Sequence, residues 1–97
     1  MAQVINGARA SWANRRVETL DGNVTVSPED SGKVFLCAAA TVTLPSASDA
    51  GAGWNALFVY KSGGATTVNS SGNIDAAGDF CHVFCDGSAF YNALNLT

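Results

Sequence analysis

SGKVFLCAAATVTLPSASDAGAGW, residues Ser31 to Trp54, is the stretch whose reading decides the fold. It holds two short apolar runs, Lys33 to Ala38 and Thr41 to Leu44, and then a connection rich in Ser, Ala, Asp and Gly that ends on Trp54. Runs of β-branched, aromatic and small apolar residues closed by breakers read as a strand, a tight reversal and a second strand. In Thr41-Val42-Thr43-Leu44 polar and apolar residues alternate, which turns Val42 and Leu44 toward a core and the threonines away from it. Pro45 then ends the pairing, because it has no N–H to donate to a ladder.

The same grammar runs outward in both directions. Val17 to Leu20 opens the β-rich part, Asp21-Gly22-Asn23 reads as a hairpin turn, and Val24-Thr25-Val26 reads as the returning strand. Ser27 to Gly32 is a second breaker, with Pro28 suited to the second position of a turn. Ser46 to Gly53 fits a single helical turn or an irregular loop. Trp54 to Lys61, WNALFVYK, is the most hydrophobic strand candidate, and its near-continuous apolar run predicts burial on both faces. Ala65 to Asn69, Ile74-Asp75, Phe80 to Cys85 and Ser88 to Leu94 follow as short strands, separated by Ser62-Gly63-Gly64, Ser70 to Asn73 and Asp86-Gly87. About eight short strands at this spacing predict an all-β fold, a small antiparallel β-sandwich or barrel over residues 17–97. Residues 1–16 carry weak order signals and read as an extended N-terminal arm with room for a short helix.

With 97 residues there is room for one domain, and a chain of this size buries only about 60–65% of its unfolded surface, so support from a partner subunit is expected. The sequence is 47% hydrophobic but only 13% charged, about half the usual charged share. A surface so poor in charge suggests cover by other protein. Formal net charge is −3, which argues against nucleic acid, whose phosphates need clustered Lys and Arg, and against an anionic membrane. The N-terminus has no continuous apolar core of the signal-peptide kind, and no run approaches the ~20 apolar residues of a membrane span. A soluble protein is expected, made in the cytoplasm. Three cysteines, an odd number, fit a reducing compartment better than a disulfide framework.

Charge is also unevenly placed. Arg9, Arg15 and Arg16 lie in the first 16 residues, which have no acid, while the remainder carries Lys33 and Lys61 against eight acids. The arm is therefore +3 and the body −6. Fully extended, such an arm reaches ~55 Å, enough to cross onto a neighbouring subunit. Arg9, Trp12, Arg15 and Arg16 are the residues expected to dock it on an acidic surface.

The order D-S-G-K-V-F (Asp30 to Phe35), A-T-V-T-L-P (Ala40 to Pro45), A-G-A-G-W (Ala50 to Trp54), F-V-Y-K-S-G-G (Phe58 to Gly64), T-T-V-N (Thr66 to Asn69), I-D (Ile74, Asp75) and C-D-G-S-A-F-Y (Cys85 to Tyr91) resembles small β-rich domains of tailed-bacteriophage virion proteins. Such domains occur in tail fibres and in head decoration proteins. The resemblance spans about two thirds of the chain. It implies a compact β-fold, assembly as a homotrimer, a structural or attachment role, no catalysis and no cofactor. Fibre domains usually sit at the end of a long chain, whereas here the domain is nearly the whole sequence, so the preferred expectation is a capsid decoration or cement protein. Its partner would be the major capsid protein and its location the capsid surface of the virion. The runner-up is a fibre-tip module whose aromatics near Trp54 or Tyr91 contact a host-surface glycan.

No catalytic set emerges: there is no G-x-S-x-G elbow, no phosphate-binding glycine loop and no suggestive carboxylate pair. Cys81-His82-Val83-Phe84-Cys85 is the nearest approach to a metal motif. On a strand its two sulfurs face one way and its imidazole the other, which opposes a zinc site and favours core cysteines. Cys81 and Cys85 also lie ~13 Å apart along an extended strand, too far for a mutual disulfide. Cys37 could meet either of them across a sheet. Asp75, Asp79 and Asp86 match no calcium-loop spacing, and turn chemistry accounts better for Asp86.

Overall fold

The computed structural model of the chain describes residues 17–68 and 73–95. Among them are seven strands: β1 (Val17–Thr25), β2 (Val34–Thr43), β3 (Ala52–Ser62), β4 (Thr66–Val68), β5 (Asn73–Ile74), β6 (Phe80–Asp86) and β7 (Phe90–Asn95). A 3-10 turn (Pro28–Asp30) precedes β2, and a one-turn helix α1 (Ala47–Ala50) precedes β3. The fold is all-β, and α1 lies within the Ser46 to Gly53 connection.

The seven strands form one mixed sheet. β2 is its centre, flanked by β1 on one edge and by β3 and β4 in succession on the other. These pairings are parallel. The antiparallel partners are β3 with β6, β6 with β7 and β4 with β5. Two expected reversals are corrected. Residues 33–44 do not turn back on themselves, since Val34–Thr43 run as the single strand β2, and Asp21-Gly22-Asn23 lies inside β1 rather than at a hairpin tip.

Both corrections have one cause. β1 and β2 slip register together between Asp21 and Gly22, where Asp21 pairs with Ala38 and Gly22 with Ala40, leaving Ala39 as an extra residue. Gly22 has φ +73° and Ala39 φ +56°. A positive-φ residue can serve a bulge as well as a turn, and here it serves a bulge. The bulge also shifts the alternation, so that Phe35 and Cys37 before it and Ala40 and Val42 after it all face inward and are buried.

Parallel neighbours need a crossover, and here each is short. Val17 lies beside Val34 and Val34 beside Leu57, so the chain winds like a coil, with the 3-10 turn and α1 on the return paths. Each return path carries apolar residues into the core, Val26 on the first and Leu44 on the second, with Ala47 and Ala50 packed against it. The first is tied to the third strand directly: Gly32 N–H donates to the Asn55 carbonyl at 2.7 Å, Asn55 N–H to Ser31 Oγ at 3.2 Å, and Trp54 Nε1 to the Ser27 carbonyl at 3.2 Å.

One core lies on the inner face of the sheet, formed by Leu20, Phe35, Cys37, Val42, Trp54, Phe58, Val68, Ile74, Cys81, Val83 and Cys85, among others. Phe35 and Phe58 stack with ring centroids 5.2 Å apart, and Trp54 meets Phe90 edge-on at 5.7 Å. Burying a large apolar side chain contributes on the order of 2–3 kcal/mol, so these rings account for much of the core.

Candidate interaction surface

Residues between the buried positions of each strand point to the other face. The registers bring them into rows. Val17, Val34, Leu57, His82 and Ala93 form one row across β1, β2, β3, β6 and β7. Thr19, Leu36, Val59, Phe80 and Asn95 form the next, and Asn55, Phe84 and Tyr91 a third. Val17 is 52% exposed, Phe84 42% and Tyr91 56%; Val34, Leu36, Leu57, Val59, Phe80 and His82 are partly exposed. His82 and Phe84 touch, ring centroid to ring centroid, at 4.2 Å.

The three rows contain no carboxylate, ammonium or guanidinium group. Charges begin beyond them, with Asp21 beside Ala38 at one corner and Asp86 beside Ala52 at another. Asp86 is engaged in the β6–β7 hairpin: its Oδ1 accepts Ser88 and Ala89 N–H at 2.8 Å each, and its Oδ2 accepts the Tyr91 hydroxyl at 3.1 Å. These donors hold its carboxyl below the usual range, and the carboxylate in turn raises the Tyr91 hydroxyl. The Asp86-Gly87 hairpin expected from the sequence is present.

The cysteines and the histidine part as the strand period requires. Cys81 and Cys85 are buried on the inner face and His82 lies on the outer one. Cys37 is also buried, and all three thiols are free. Burial pushes Cys37 and Cys81 up to about 11, which keeps both as neutral thiols at neutral pH and poor nucleophiles. Among the described residues no three His, Cys, Asp or Glu side chains stand together to hold a metal ion. Asp79 is wholly buried and its Oδ2 accepts the N–H of Asp75 and of Ala76 at 3.0 and 3.1 Å, closing the loop before β6.

Trp54, one of the aromatics considered for glycan contact, is 2% exposed and belongs to the core. Arg9, Trp12, Arg15 and Arg16 lie outside the described residues. Sequence reasoning missed the size of the outer apolar face. Its signal was present in Val34, Leu36, Leu57 and Val59, which interleave with core residues, but only the pairing of β2 with β3 makes them neighbours. No family model, curated protein or solved structure matches this chain.

Proposed function

We propose that this chain is a structural protein of a tailed-phage virion, specifically a trimeric decoration or cement protein that binds the outer shell and stabilises it. The observation that carries this reading is a small β-domain with a continuous uncharged face on one side of its sheet. Such a face suits assembly into a larger protein surface. The resemblance of the motif order to virion β-domains is its other support. The mechanism is area and complementarity: the body joins its own copies, and the Arg-bearing arm pairs with acidic groups of the capsid subunits. Docking to the assembled shell then stabilises it by mass action. No residue is assigned a catalytic role, and no cofactor is required.

The docking set remains Arg9, Trp12, Arg15 and Arg16. Deleting residues 2–16 is expected to leave the β-sheet circular dichroism intact and to abolish co-sedimentation with shells stripped of the protein. Co-sedimentation that survives the deletion removes the arm from the docking role.

A second reading has one specific observation behind it. Phe84 and Tyr91 are exposed side by side, an arrangement on which a sugar ring can stack. A fibre-tip module would bind a host glycan there, and Tyr91→Ala would abolish that binding.

A further inference from the structure

We infer that the open edge of β7 pairs antiparallel with β7 of a second copy of this chain, joining two sheets into one across a two-fold axis. Among the described residues three strands have a single neighbour: β1 beside β2, β5 beside β4 and β7 beside β6. A lone edge is a row of unpaired N–H and C=O groups, and folds guard such rows by shortness, charge, proline or a bulge. β5 has only Asn73 and Ile74, and β1 carries Glu18, Asp21 and the register slip at Asp21/Gly22. β7 has none of these guards. Its sequence, FYNALN, has no charge and no proline, and it runs without a slip against β6.

The backbone of β7 addresses its free edge at fixed positions. In the hairpin Asp86 N–H donates to the Ala89 carbonyl at 3.2 Å, and bonded pairs alternate with unbonded ones along an antiparallel ladder. Phe84–Tyr91 and His82–Ala93 are therefore bonded pairs, and Phe90, Asn92 and Leu94 turn their N–H and C=O away from β6. The side chains of these outward residues belong to the inner face, opposite the buried Cys85, Val83 and Cys81. Yet Asn92 is exposed and Leu94 is 43% exposed, so beyond Phe90 the core ends at β6 while the sheet goes on.

These features select a second β7 as the occupant. An opposing strand must present outward residues at the same spacing and keep charge off both faces. Laid antiparallel about Asn92, a second β7 does both. Phe90 meets Leu94 of the second copy and Asn92 meets Asn92 of the second copy. Each pair exchanges both backbone bonds, which leaves no outward group of Phe90, Asn92 or Leu94 unpaired. On the other face Tyr91 meets Ala93 of the second copy. Phe90 already meets Trp54 edge-on, so the arriving leucine extends the inner core. Other segments of this chain match the edge less well. β1 would set Glu18 and Asp21 against these side chains. Residues 1–16 hold three arginines, and their only β-branched residues are Val4 and Ile5, just before Asn6-Gly7.

An edge of this length makes less than a standard interface, so the contact is reversible and gains where copies are already held close. It is closed by its two-fold symmetry and joins copies in pairs. It is thus separate from the contact that builds the proposed trimer, and links one trimer to the next. The inference does not rest on the virion reading. Pairing in solution without incorporation into virions removes that reading alone, and incorporation without pairing removes the inference alone.

The test is disulfide cross-linking of the full chain with oxidised glutathione at about 100 μM, suited to a contact of this size. Asn92→Cys is expected to form a covalent pair, because the Cα atoms of a bonded pair lie about 5.5 Å apart, within disulfide reach. Ala93→Cys alone should stay single, since its own counterpart lies two residues off register, but mixed with Tyr91→Cys it should cross-link. The native thiols are buried, and the unaltered chain serves as the blank. Asn92→Pro removes an outward N–H and leaves the ladder to β6 intact. In sedimentation equilibrium it should need about 10-fold more protein than the unaltered chain for the same rise in mass, with the β-sheet circular dichroism retained. Failure of Asn92→Cys to cross-link, or Ala93→Cys alone linking as fast, overturns the inference. So does Asn92→Cys linking that appears only when residues 2–16 are deleted, which would make the chain's own N-terminal segment the strand on this edge.

Discussion

Ala39 holds a side chain at φ +56°, a conformation that costs an L-residue about 1–2 kcal/mol. It persists because its surroundings are built for it. The bulge frees the N–H of Ala40 from the ladder, and the buried Thr66 accepts it through Oγ1 at 2.9 Å. Across the gap, Gly63 and Gly64 lie close beside the Ala39 methyl, where added side chains would come within 3.6 and 3.7 Å of it. Thr66→Val keeps the shape and removes the acceptor, and an orphaned buried N–H costs about 1–3 kcal/mol. That loss should appear as a lower urea midpoint with an unchanged slope, and Thr66→Ser should recover most of it. The alternation in Thr41 to Leu44 was legible at this scale, as were the buried Val42 and Leu44. Ala39 was not, since nothing in Ala38-Ala39-Ala40 distinguishes a bulge from a reversal until its partner strand is known.

At the scale of elements, the first crossover is held by charge as well as packing. Ser27 donates its N–H to Asp30 Oδ2 at 2.8 Å, and Lys33 Nζ bridges Asp30 Oδ1 at 2.8 Å and Glu18 Oε1 at 2.9 Å. Partial burial opposes ionisation of Asp30, but the Lys33 ammonium and the Ser27 N–H prevail and hold its carboxyl below 3.8. Hydrogen bonds to Asp30 and Glu18 raise Lys33 above 10.5. The two signs bound a pH window. A lowered acid contributes stability above its unfolded value and loses it as pH falls through the folded one; a raised base contributes below its unfolded value and loses it as pH rises through the folded one. Urea midpoints should therefore fall as pH drops below about 5, and Asp30→Asn should be less stable at neutral pH and lose less on acidification. An equal slope in both proteins would count against this role for Asp30. The breakers around Pro28 and Pro45 marked these crossovers correctly, but sequence alone made them turns between antiparallel neighbours. Whether a breaker of eight or so residues reverses a strand or carries it back to a parallel start depends on which strands pair, a long-range choice that local turn chemistry does not encode.

For the whole molecule, the consequential feature is a sheet with one core on its inner face and uncharged rows of mixed apolar and polar residues on its outer one. The run Trp54 to Lys61 announced two buried faces, and Trp54, Ala56 and Phe58 do fill the inner one. The outer face was not legible as a site, because its rows draw single residues from β1, β2, β3, β6 and β7. The arm's charge was legible from composition, and the docking role of Arg9, Trp12, Arg15 and Arg16 rests on that alone. On the proposed reading, the uncharged face joins the body to other protein and the basic segment at positions 1–16 meets an acidic neighbour. The measurement that tests this most directly is the abundance of the chain in purified virions relative to the major capsid subunit. A decoration protein should be present near one copy per capsid subunit, since only the shell lattice offers so many equivalent sites; trace abundance would move the protein to the tail, and its absence from virions would contradict the account.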